Sequence, residues 1–184
     1  MRRLVLLFFL LFSIHVANAQ KYMTKNGFIG FASHTSMEEI KGDNNQVASV
    51  LDIKTGELVF QVLMKSFHFD RALLEEHFNE NYVESDKFPK SSFTGKITNL
   101  STVDFAKKGI YPVAVDGELT IHGIVKKISS KGTLEVLDGG INASSKFNIN
   151  PEDYGIAIPS LVREKISKDL EVTVTMKFAP LATN

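Results

Sequence analysis

Histidine and clustered carboxylates are the side chains best suited to proton or metal chemistry near neutral pH, and the sequence offers His34, His68, His77 and His122, with acidic neighbours at Glu75 and Glu76 and at Glu84 and Asp86. No two of these histidines stand at the i, i+4 spacing by which a helix holds zinc, and the chain has no cysteine. The sequence therefore predicts no metal site and implies no cofactor. Acids side by side, or separated by one residue, form solvated faces more often than acid–base pairs. Neither a G-x-S-x-G elbow nor a glycine-rich phosphate loop is present. No catalytic residue is assigned. His122 alternates with apolar neighbours and reads as a surface histidine. His77, on the apolar side of a short helical pattern, reads as a buried hydrogen-bonding group or one that meets a ligand head group.

The stronger chemical signal is apolar. Phe67, Phe69, Phe78, Tyr82, Phe88 and Phe93 gather in one stretch of a chain that holds fourteen phenylalanines and no tryptophan. Such a cluster suits a site that holds something greasy without a charged anchor.

Strands must position these rings. Val47, Ser49, Leu51 and Ile53 alternate with other residues up to a turn at Lys54-Thr55-Gly56-Glu57, and Leu58, Phe60, Val62 and Met64 continue beyond it, which predicts a hairpin. The same period runs from Tyr111 to Lys126, over Ile141 to Ile149 and over Leu170 to Phe178, with shorter candidates at Phe28 to Ser33, Phe93 to Asn99 and Thr133 to Leu137. About eight strands of this kind predict an all-β sandwich or barrel. From Asp70, a candidate N-cap, Leu74, His77, Phe78, Asn81 and Tyr82 follow helical spacing, so one short amphipathic helix is expected there. A second is expected near Ser160 to Ile166. No repeat or linker divides the chain.

Arg2 and Arg3, the apolar run Leu4 to Phe12 and the small residues Ala17-Asn18-Ala19 predict a cleaved signal peptide over residues 1–19, with no transmembrane anchor, leaving a single domain over 20–184. The 21 basic and 21 acidic residues leave no electrostatic footprint for nucleic acid. Without cysteine the exported domain has no disulfide, and a chain of this length can rely on its core alone.

The ordered set Phe67-His68-Phe69, His77-Phe78-Asn79, Tyr82-Val83-Glu84-Ser85, Lys87-Phe88-Pro89, Phe93-Thr94-Gly95, Asp116 to Gly123 and Asp153-Tyr154-Gly155-Ile156 resembles the YceI-like family of secreted lipid-binding proteins, over nearly the whole mature chain. The resemblance implies an extended antiparallel β-barrel, lipocalin-like, with one or two short helices. Its long cavity would hold a polyisoprenoid or other long-chain lipid in the periplasm. From the residues themselves, Phe60, Val62, Val113 and Leu119 are wall candidates for ligand contact, and Phe67, Phe69, Leu74, His77, Phe78, Tyr82, Phe88 and Phe93 are candidates around the opening. Two other readings stand beside the carrier. One is an enzyme for a hydrophobic substrate with His77 or His68 handling protons. The other is an interaction protein whose barrel is filled by side chains. A homodimer is a further possibility on which the sequence is silent.

Overall fold

The computed structural model describes residues 20–181. The predicted signal peptide over 1–19 lies outside the described residues.

Eight antiparallel strands form one closed barrel in sequence order: β1 (Lys21–His34), β2 (Glu39–Asp52), β3 (Glu57–Leu63), β4 (Lys90–Ile97), β5 (Gly109–Ile121), β6 (Ile124–Leu137), β7 (Gly140–Ile149) and β8 (Leu170–Pro180). β8 returns to pair with β1, for example Phe31 with Val172, so no sheet edge is left open to pair with another chain. Period two does the sorting. Along β3 the order Leu58, Phe60, Val62 buries every second residue while Glu57, Val59 and Gln61 face water.

The expected strand count holds, but one boundary moves. The alternation from Tyr111 to Lys126 is not one strand. Ile121 pairs with Ile124 across a two-residue turn made of His122 and Gly123, with φ of 51° and 75°. Two left-handed residues give the twist that a tight hairpin requires, and glycine tolerates that region at no steric cost. The parity of the interior face flips at this turn, so Val125 points outward and is 54% exposed. The short candidate at Thr133 is the far end of the long β6.

The helical expectations shrink. The first helix, α1, runs only from Ala72 to His77, with Arg71 and not Asp70 at its N-cap and no side-chain cap bond. It passes into a single wider π turn over Phe78–Tyr82. A segment this short does not sustain a buried face, and His77 is exposed with no hydrogen bond among the described residues, against the expectation of a buried one. Near Ser160 there is only a 3₁₀ turn, Ser160–Val162.

The barrel interior is packed at one end and open at the other. At the closed end Val47, Leu51, Ile97, Leu134, Ile141, Met176 and Phe178 are all at most 3% exposed. The thioether of Met176 on β8 lies against the bare backbone of Gly27 on the neighbouring strand β1, where an added Cβ would overlap its sulfur and stand 2.9 Å from its Cε. β1 changes register on both sides of Gly27. Among the described residues no helix is long and apolar enough to cross a membrane.

Candidate functional site

The open half of the barrel contains a chamber of about 200 Å³. Its walls are alternate residues of the strands: Phe60 and Val62 from β3, Phe93 from β4, Val115, Leu119 and Ile121 from β5, Phe147 from β7, and Val172 and Val174 from β8. Three wall hydroxyls already have partners. Ser130 Oγ and Ser145 Oγ are 2.7 Å apart, Ser145 also donates to the Lys131 carbonyl at 2.8 Å, and Ser91 Oγ donates to Met64 Sδ at 3.1 Å. These three hydroxyls, being satisfied, make no demand for a polar ligand.

Four rings close the top of this chamber. Phe31 stacks on Phe78 with centroids 5.5 Å apart and planes at 28°, Phe67 meets both rings at 5.5 Å, and Phe69 meets Phe78 at 5.0 Å. Gly42 makes room for them, since a Cβ there would lie 2.7 Å from Phe31 and 2.8 Å from Phe69. Beyond the rings lies a second chamber of about 270 Å³, lined by Phe69, Leu74, His77, Tyr82, Ile158, Val162 and Ile166. Phe31, Phe78, Val83, Pro151, Ile156 and Leu170 border both chambers, so the rings form a partition between them. The outer chamber is where charge begins. Glu38 and Arg71 form an ion pair on its wall, and Lys165 lines it without a carboxylate partner among the described residues. Burial pushes the Tyr82 phenol above its ordinary value.

The sequence candidates divide accordingly. Phe60, Val62, Phe67, Phe78, Phe93 and Leu119 line the inner chamber, and Phe69, Leu74, His77, Phe78 and Tyr82 line the outer one. Phe88 and Val113 line neither. Val113 belongs to the packed end, because the interior closes below Val115. Phe88 packs edge-on against His122 with centroids 4.4 Å apart.

His122 is the main correction. It sits in the β5–β6 turn with its side chain 13% exposed, so it is not a surface histidine. Its Nε2 lies 2.8 Å from Glu84 Oε2 and its Nδ1 lies 3.2 Å from the Tyr154 carbonyl. A ring protonated on both nitrogens donates to both acceptors, whereas a neutral ring donates to one. The Lys87 ammonium, 2.9 Å away, and then His122 hold the Glu84 carboxyl below the usual carboxylate range. Glu84 itself has φ of 45°, so both ends of this contact sit in left-handed backbone. The contact ties the β5–β6 turn to the segments holding Glu84 and Tyr154, and Val83, Ile121 and Tyr154, at or beside its three residues, are wall residues.

Residues outside the sequence candidates complete the walls. Phe31, Tyr154 and Ile156 were legible as a strand position and as parts of the Asp153-Tyr154-Gly155-Ile156 motif. Their place in the cavity depends on loops that fold back over the opening. Among the described residues no group of three or more His, Asp or Glu is placed to hold a metal ion.

The YceI-like domain family matches residues 21–178 of the chain. A polyisoprenoid binding domain from Saccharophagus degradans implicated in plant cell wall breakdown superposes with a TM-score of 0.76 at 14% identity, covering 89% of this chain and 100% of that one. BcnA of Burkholderia cenocepacia superposes at 0.69 with 11% identity, covering 83% of this chain and 96% of that one. The YCEI protein of Campylobacter jejuni superposes at 0.61 with 18% identity, covering 81% and 90%. These likenesses establish the fold. No curated protein matches the chain in sequence.

Proposed function

The chain belongs to the YceI-like family, and from that premise and the two-chambered interior we propose that it is a periplasmic carrier of an amphiphilic isoprenoid-type lipid, acting without chemistry of its own. The observation that supports this best is the order of the chambers along one path. A chamber walled mainly by apolar side chains lies deepest, an aromatic partition follows, and a mouth bearing Arg71, Glu38, His77 and Lys165 comes last. A tail with a polar end has the same order.

In this reading Phe60, Val62, Phe67, Phe93 and Leu119 grip the tail, Phe31 and Phe78 part to admit it, and Phe69, Leu74, His77 and Tyr82 surround the polar end. Each buried methylene contributes about 0.8 kcal/mol, so about eight carbons in the inner chamber supply roughly 6 kcal/mol before association and ordering costs. The segment at the outer chamber adds to this. His77 and His68 lack the geometry of a proton relay. His68 meets only Glu75, at 3.4 Å on the surface, and His77 has no partner among the described residues. The exported location rests on the predicted signal peptide.

The test is native mass spectrometry of protein purified from its export compartment without detergent, followed by organic extraction. An isoprenoid recovered intact at one per chain is the expected result. A lipid recovered chemically altered after incubation would instead favour an enzyme. An empty protein that refuses added prenyl lipids would sink the carrier reading.

A further inference from the structure

We propose that this barrel selects its lipid by length, accepting an apolar tail of about three isoprene units and gaining nothing from units beyond the fourth, because the packed layer of Leu51, Ile97, Ile141 and Met176 forms a floor partway down the interior. The inference rests on the carrier reading and narrows it to a ligand class.

Three observations carry it. First, the interior is not hollow throughout. The chamber's deepest wall residues are Leu58, Val115 and Val174, and directly below Val174 on β8 comes Met176, which is 0% exposed. Second, the floor has no slack. Gly27 offers its bare backbone to the Met176 thioether, and Leu51, Ile97 and Ile141 behind it are each at most 2% exposed. Interiors packed this closely do not open for a chain end without creating or filling a comparable volume elsewhere. Third, the space above the floor is finite. An apolar cavity of 150 Å³ holds benzene, so in proportion the chambers of about 200 and 270 Å³ hold about eight and eleven carbon-sized atoms, roughly nineteen together. Three isoprene units, about fifteen carbons, with a small polar end fill that space. A tail of eight units would leave more than half its length in water, where it contributes no transfer free energy.

The mouth sets the direction of entry. The charged residues all stand at the outer chamber and the floor is wholly apolar, so the tail enters first and its free end meets Met176. The length limit is therefore read by the hydrocarbon terminus and does not depend on the identity of the polar end.

The experiment is a binding series of prenols with two, three, four and eight isoprene units, delivered from cyclodextrin to the detergent-free, delipidated protein and followed by calorimetry. Affinity is expected to rise at least tenfold from two units to three and to change less than threefold from four to eight. Affinity that keeps climbing tenfold or more to eight units would overturn the length limit while leaving the carrier reading intact. Absence of binding at every length would overturn the carrier reading itself. Met176→Ala, which takes three side-chain heavy atoms out of this layer, is expected to shift the plateau longer by up to one unit. Val59→Ala, on the outward face of β3, is expected to leave the plateau where it is. A plateau that moves equally in both variants would show that a general loosening of the barrel and not the floor sets the limit.

Discussion

Replacing Gly27 and Met176 singly and together isolates one tight contact of the packed end of the barrel. Met176 is fully buried, and truncating a buried methionine to alanine costs 2–5 kcal/mol, so Met176→Ala is expected to lose about 3 kcal/mol. At about 2–4 °C per kcal/mol for a domain of this size, that is a drop in Tm of roughly 6–12 °C. Gly27→Ala alone forces a methyl into the Met176 sulfur and brings it 3.2 Å from the Val47 carbonyl, an overpacking that costs about 1–3 kcal/mol. Independent effects would sum to about 5 kcal/mol. In the double variant, however, the new methyl enters the space that the thioether vacates. The backbone at Gly27 has no positive φ to forbid alanine, and the unfolded chain loses conformational freedom. The double variant is therefore expected to match or exceed the stability of Met176→Ala, a coupling of about 2 kcal/mol or more. Urea denaturation of the four proteins reads it directly, through the midpoints at unchanged m. Additivity within about 0.5 kcal/mol would refute the reasoning, because residues in contact do not behave independently.

The remaining expectations concern the opening. His122→Asn keeps a residue that accepts the left-handed turn but is too short to reach Tyr154 or cover Phe88, and it should cost about 1–2 kcal/mol by urea denaturation. An unchanged midpoint would show that the loops hold without it. Acidification should loosen the same contact. The Glu84 pKa is lowered in the folded state relative to 4.5, so its contribution is complete above that value and is lost as pH falls through the lower folded value. Glu84→Gln should flatten that part of an acid unfolding curve, and a curve of unaltered shape would count against the assignment. Phe31→Ala or Phe78→Ala removes half of the stacked pair and should speed release of a bound prenol at least tenfold in a vesicle-transfer assay. A release rate equal to that of the parent would mean the rings are ordinary core.

Alternation alone determined that the chain is an all-β protein of about eight strands, because a period of two in residues such as Leu58, Phe60 and Val62 is a local consequence of strand geometry and needs no partner to be legible. The inward set of β8, from Leu170 to Phe178, was readable for the same reason. The ordered motifs from Phe67 to Ile156 identified the family as well. Tertiary structure alone decided where the interior is full and where it is empty. Val113 and Val115 lie two residues apart on one face of one strand, yet the first packs into the closed end and the second lines the chamber. The difference comes from the packed layer of Leu51, Ile97, Ile141 and Met176, side chains of four strands that meet inside the barrel. The role of His122 was hidden in the same way. Its neighbours continue the alternation through a two-residue turn, and its partners, Glu84 and Tyr154, lie 38 and 32 residues away. Periodicity records which way a side chain faces, but whether anything stands opposite depends on distant strands meeting across the barrel.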